Sequence, residues 1–170
     1  MNLNSTRRAF AARFASVLSG LGITAVVAAP RAVAQSSSSL NSGEVRKLNS
    51  EGKPGSEKEV IMPVVVHNGV LYVSGQGAHD TRDPKEWTIE SHTKMVMDKV
   101  QKLVEVGGGS MDSVLQVNVY LVKIEDWDGM HKVFATYFLH GGPARTTVAV
   151  AALPGNSLVE INCIAAVTRK

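Results

Sequence analysis

Apolar positions along residues 60–167 change period several times, and each change marks an element. "VVVHNGVLYVSGQ" (64–76) holds two β-branched runs around His67-Asn68-Gly69, the pattern of a β-hairpin. "DTRDPKEW" (80–87) is a polar loop. A helix starts at Thr88, which can cap it, with Glu90 favouring its first turn. Val96, Val100, Leu103 and Val104 recur at helical spacing on one face, and Gly107–Gly109 end the run. "SVLQVNVYLVKI" (113–124) reads as a strongly apolar strand. Asp126 can cap a second helix whose buried stripe is Met130, Val133, Phe134, Tyr137 and Phe138, stopped by Gly141-Gly142-Pro143. Two strands, about 145–152 and 158–167, follow around "LPGNS". The order β-β-α-β-α-β-β predicts an α+β domain with two helices on one face of a mixed sheet. The other face needs a partner, so self-association is expected.

Upstream of Val60 the pattern dissolves. Residues 35–59 are rich in Ser, Gly and Lys and read as a linker, with room for a short strand at "EVRKLN" (44–49). Residues 1–34 are different again. "STRRAF" is followed by the uncharged "FASVLSGLGITAVVAA" and then by the small residues "AVA" at 32–34. This resembles a twin-arginine export signal cleaved before Gln35, which predicts a periplasmic location. The apolar run is short for a bilayer span and carries Ser, Gly and Thr, so no stable membrane anchor is expected. The domain proper is expected at 60–170.

Charge sharpens this division. Of 18 Lys and Arg, four (Arg7, Arg8, Arg13, Arg31) lie in residues 1–34, which hold no acid; the remaining 14 face 15 Asp and Glu. The formal charge of +3 therefore belongs to the N-terminus, and the domain offers no charge-based case for a nucleic-acid partner. Trp87, Tyr120, Trp127 and Tyr137 form no stacking stripe for single strands. The single cysteine, Cys163, excludes an intrachain disulfide. His67, His79, His92, His131 and His140 show no metal-ligand spacing, and the glycines at 107–109 lack the lysine and hydroxyl of a phosphate loop.

The candidate chemistry lies in "GGPARTTVAVAALPGNSLVEINCIAAV" (141–167), which keeps two full charges, Arg145 and Glu160, in a nearly uncharged stretch. An arginine fork suits a carboxylate ligand, and a carboxylate can orient or deprotonate a water. The same two residues also suit a buried ion pair that only fixes packing. If the last strands form a hairpin with Ala152 opposite Leu158, Arg145 stands opposite Ala165. Glu160 then lies about 16 Å away at ~3.3 Å per residue and faces the other side of the sheet. A shared site would need a different register or a second subunit. Ser74 and Gly75, after a strand, can present a hydroxyl and exposed N–H groups to a ligand or simply form a turn. His131 can donate to a ligand or stand on an exposed helix face. His79 and Asp80 can line a cleft mouth, although a solvated loop is the plainer reading, and Asn118 is expected to satisfy backbone.

"LYVSGQ", the junction "NVYLVKIEDW" and the segment 142–167 together resemble the RidA (YjgF/YER057c/UK114) family over roughly Leu71 to Val167. The resemblance implies a chorismate-mutase-like fold and a homotrimer with clefts between subunits. It also implies hydrolysis of reactive enamines and imines to a carbonyl compound and ammonia, without metal or organic cofactor. Arg145 falls at the family's substrate-binding arginine and Glu160 at the glutamate assigned to the water. An imino acid or other small carboxylate is then the expected ligand. A non-catalytic trimer that binds small carboxylates or client proteins fits Arg145 as well. The chain departs from the family pattern at Ile61, where active members carry a tyrosine that closes over substrate, and at Thr147, where a cysteine is frequent. His131 replaces a frequent asparagine. These changes predict an altered substrate preference.

Overall fold

The computed structural model describes residues 43–168; the expected signal at 1–34 and the start of the expected linker, 35–42, lie outside the described residues. The strands are β1 (Arg46–Leu48), β2 (Val64–His67), β3 (Val70–Gly77), β4 (Val114–Leu121), β5 (Ala144–Ala149) and β6 (Val159–Ala166). The helices are α1 (Ile89–Val106) and α2 (Trp127–Phe134). Together they make the expected α+β arrangement, one mixed sheet with both helices packed on one face.

Local chemistry explains most boundaries. Asn68 and Gly69 both take left-handed backbone, φ 50° and 76°, the geometry a two-residue I′ turn requires between β2 and β3. Thr88 Oγ1 accepts from Ser91 N–H, and Ser91 Oγ accepts from Thr88 N–H, a reciprocal cap. The buried face of α1 includes the expected Val96, Val100, Leu103 and Val104. Gly107 ends the helix directly on the sheet: a Cβ there would meet Leu71 Cδ2 at 3.1 Å and Val64 Cγ1 at 3.2 Å.

The short strand allowed for at 44–49 is present as β1, paired with β2, so the sheet starts upstream of the fully exposed Val60. Two expectations about α2 are corrected. Asp126 precedes α2 but makes no side-chain capping bond, since a 3-10 turn at Ile124–Asp126 leads into the helix. The stripe on α2 is also shorter. Met130 and Phe134 are buried, whereas Tyr137 and Phe138 reach the core only from or just beyond a following 3-10 turn.

The largest correction concerns the last two strands, which do not form a hairpin. The sheet order is β1-β2-β3-β6-β4-β5: β6 lies antiparallel between β3 and β4, and β5 lies parallel to β4 at the edge. Burial explains the choice. β6 buries every second residue (Val159, Ile161, Cys163, Ala165), which suits a central strand, whereas β5 buries none fully. The core lies between the helices and the inner sheet face, with Leu71, Met97, Leu121, Met130 and Ile161 fully buried. The outer face carries Tyr72, Tyr120, Val148 and Ile164, all at least partly exposed.

Candidate functional site

Arg145 pairs with Val117 of β4, whose side chain is in the core, so the arginine points to the helix side of the edge strand. There its Nη1 donates to His131 Nδ1 at 3.0 Å. Its guanidinium carbon lies 4.8 Å from the Phe134 ring centroid and 5.5 Å from that of Trp127. Trp127 and His131, four apart on α2, stack at 4.8 Å and 25°. A guanidinium only donates, so His131 must offer a lone pair at Nδ1 and carry its proton on Nε2. Half-burial draws the Arg145 pKa below the ordinary arginine value, yet the group stays charged. Among the described residues no carboxylate lies within ion-pair distance of it. Thr147, two residues further along the same face, has a buried hydroxyl with no hydrogen-bond partner. This half-site is therefore cationic, aromatic-walled and short of an anion.

Glu160 belongs to a second cluster. It lies between the buried Val159 and Ile161, so its side chain leaves by the outer face. The β3–β6 ladder is irregular between Val73 and Gln76, which lifts Ser74 and Gly75 out of register. Gln76 Nε2 ties this bulge together by donating to Ser74 O, Ser74 Oγ and Gly75 O at 3.0–3.1 Å. The Glu160 carboxylate rests on Gly75, where an added Cβ would come within 2.2 Å of Oε1. Ser74, Gly75 and Glu160 thus form one group, and Arg145 and His131 another, on opposite faces of the sheet. The two charges do face opposite sides of the sheet, but this follows from strand order, and the hairpin register behind the expected spacing does not form.

A third group joins Asp80 to His92, a pairing the sequence reading did not make. Asp80 is only 2% exposed and His92 0%. Asp80, expected in a solvated loop, is instead paired with Arg82 and lies 3.2 Å from His92 Nε2. His79 is exposed and left-handed (φ 50°), which turns the chain so that the next residue points inward. Trp127 and Phe134 were also missed as site residues, although the i, i+4 spacing of Trp127 and His131 on one helix was there to see.

A mixed sheet covered by two helices on one face, with a cationic and an acidic half-site on its two sides, defines the class. The family model described as Endoribonuclease L-PSP matches residues 58–167, and the chain belongs to that family. It is 38% identical over 98 residues to a RutC family protein of Saccharolobus solfataricus, covering 56% of this chain and 78% of that protein. It is 33% identical over 78 residues to Reactive Intermediate Deaminase A, chloroplastic, of Arabidopsis thaliana, covering 46% of this chain and 42% of that protein. Its fold is similar to that of a Rid-family protein of unknown function from Yersinia pestis, with a TM-score of 0.64 and 29% identity. That match covers 73% of this chain and all of the other.

Proposed function

We propose that this protein hydrolyses reactive enamines and imines to a 2-oxo acid and ammonia, in a homotrimer whose clefts join the two half-sites. The observation that carries this reading is the split itself. Among the described residues Arg145 has no carboxylate partner, and Glu160 lies on the opposite face, so one ligand can meet both only across an interface between copies. The apolar residues of the outer sheet face, Tyr72, Val148 and Ile164, supply surface for such an interface.

The chemistry needs little more. Arg145 holds the carboxylate of a 2-imino acid against the Trp127 and Phe134 wall, and the His131 Nε2–H is a further donor beside it. The protonated imine carbon is electrophilic. Glu160 takes a proton from water as the water oxygen bonds to that carbon, giving a carbinolamine. Glu160 passes its proton to the carbinolamine nitrogen; the C–N bond then breaks as the hydroxyl proton returns to the carboxylate and the carbonyl forms, releasing ammonia. Ammonia release from an imino acid generated in place by an amino-acid oxidase, measured with and without the protein, tests the reaction. Decay equal to the buffer blank across several imino acids would instead support a carboxylate-binding trimer. That second reading is favoured by Ile61, 73% exposed where active members carry the covering tyrosine. The uneven charge distribution of the chain is the reason for not assigning a nucleic-acid substrate.

Two expected results arise here. The backbone at Gly75 is not left-handed, so alanine fits the chain there, but its Cβ takes the space of the Glu160 carboxylate. Gly75→Ala should keep the thermal midpoint within a few degrees while lowering kcat about tenfold or more, since displacements of about 1 Å cost up to about 100-fold. An unchanged kcat would remove Glu160 from the reaction. For export, Arg7→Lys with Arg8→Lys should leave the uncleaved precursor in the cytoplasm; normal periplasmic recovery of a chain starting at Gln35 would reject the twin-arginine route.

A further inference from the structure

His92 sits on the inner face of α1 with no solvent exposure. Its Nδ1 accepts the Leu158 N–H at 3.0 Å, and its Nε2 lies 3.2 Å from Asp80 Oδ2. An amide can only donate, so Nδ1 holds a lone pair and Nε2 the proton; the ring is neutral and its tautomer is set from both sides. Asp80 is oriented in turn by Arg82, whose Nε donates to its two oxygens at 3.0 and 2.9 Å and whose backbone N–H donates to Oδ1 at 2.9 Å. The Arg82 guanidinium holds the Asp80 carboxyl well below the usual carboxylate range, and burial holds His92 below the ordinary histidine value. The charged groups facing the imidazole are Asp80 and Arg82, both from the loop after β3. Trp87 covers the ring at 5.4 Å, and the segment leading into β6 presents the Leu158 amide.

What this network grips is the entry to β6. Ser157 Oγ accepts from Ala78 N–H at 2.8 Å and donates to Val159 O at 2.5 Å. Lys99 Nζ donates to Gly77 O at 2.7 Å and Ala78 O at 3.0 Å. Leu158 O accepts from Val122 N–H at 3.1 Å. Residues 157–159 are thereby fixed to the loop at 77–80, to α1 and to the end of β4. The next residue is Glu160, opposite Gly77 on β3 and Tyr120 on β4.

We propose that His92, oriented by Asp80, is a positioning residue for Glu160: the neutral imidazole holds the Leu158 amide and so places the carboxylate two residues on over Gly75. The proposal rests on the reading of Glu160 as the group that handles the water. A second proton on His92 would set N–H against the Leu158 N–H and release the start of β6. Protonation of His92 then contributes to the acid limb of turnover. Stability carries the same sign. The unfolded chain binds a proton on His92 near the ordinary value of 6.5, above the lowered folded value, so stability falls as pH drops below about 6.5.

Glutamine at 92 can keep both bonds, its carbonyl accepting from Leu158 and its amide donating to Asp80, without titrating; leucine can keep neither. His92→Leu should speed Leu158 amide exchange about tenfold or more and alter the carbon-13 titration of the Glu160 carboxyl. It should also lower kcat about 100-fold with KM within about twofold. His92→Gln should restore exchange protection, keep kcat within about threefold at pH 7, and move the acid limb to lower pH. Unchanged Leu158 protection in His92→Leu, or an acid limb in His92→Gln that coincides with that of the parent, would overturn the proposal. The exchange and carboxyl measurements need no substrate. A parent that fails to turn over imino acids would thus reject the hydrolase reading, while these two measurements still decide the role of His92.

Discussion

Chains carrying Arg145→Ala and chains carrying Glu160→Gln, each nearly inactive alone, should recover about a quarter of parental turnover when unfolded and refolded together in equal amounts. The figure follows from cyclic symmetry. If each cleft takes its arginine from one subunit and its glutamate from the next, a random trimer of the two chains has about three chances in four of being mixed. Every mixed trimer has one cleft of three with both native residues, giving roughly one quarter overall. Clefts built within one subunit would give no recovery at any mixing ratio. The measurement is ammonia release per mole of protein after refolding, with each variant refolded separately as the baseline. Glu160→Gln keeps shape and hydrogen bonding but loses basicity, so alone it should retain about 1% or less of parental kcat.

Arg145→Ala should also weaken a non-reactive 2-oxo acid by roughly 30–150-fold, the loss of a charge-assisted contact of about 2–3 kcal/mol. Titration calorimetry reads this directly. Arg145→Lys should recover only part of the affinity. An ammonium keeps the charge but loses the planar fork and its stacking on Trp127 and Phe134. The Glu160→Gln chain should bind the same ligand with nearly parental affinity, because its defect lies in the step after binding. Parental affinity in Arg145→Ala would assign the arginine to packing alone.

The parts of this fold written in short-range patterns were legible. Asn68-Gly69 announced a turn, Thr88 a helix start, and Val96, Val100, Leu103 and Val104 the inner face of α1. Each depends on neighbours within about four residues, where backbone sterics and helical period decide the outcome. The order of strands was not legible in the same way. β5 and β6 adjoin in sequence and are divided in space, because the more apolar β6 takes the sheet centre and β5 is left on the far side of β4. Arg145 and Glu160 stood out because full charges are rare in such a segment. Asp80 and His92 did not, since a polar loop and a helix histidine look solvated until the tertiary fold closes over both. The same holds for Phe134, read as part of a helix stripe until Arg145 arrives from a strand fourteen residues beyond His131.

The contact between Gly75 and Glu160 also bears on how sequences of this kind can diverge. The acid occupies the volume that a side chain at 75 would need, so the two positions have one space to share. A larger residue at 75 therefore requires the Glu160 carboxylate to swing aside, so the side chains at 75 and 160 constrain each other.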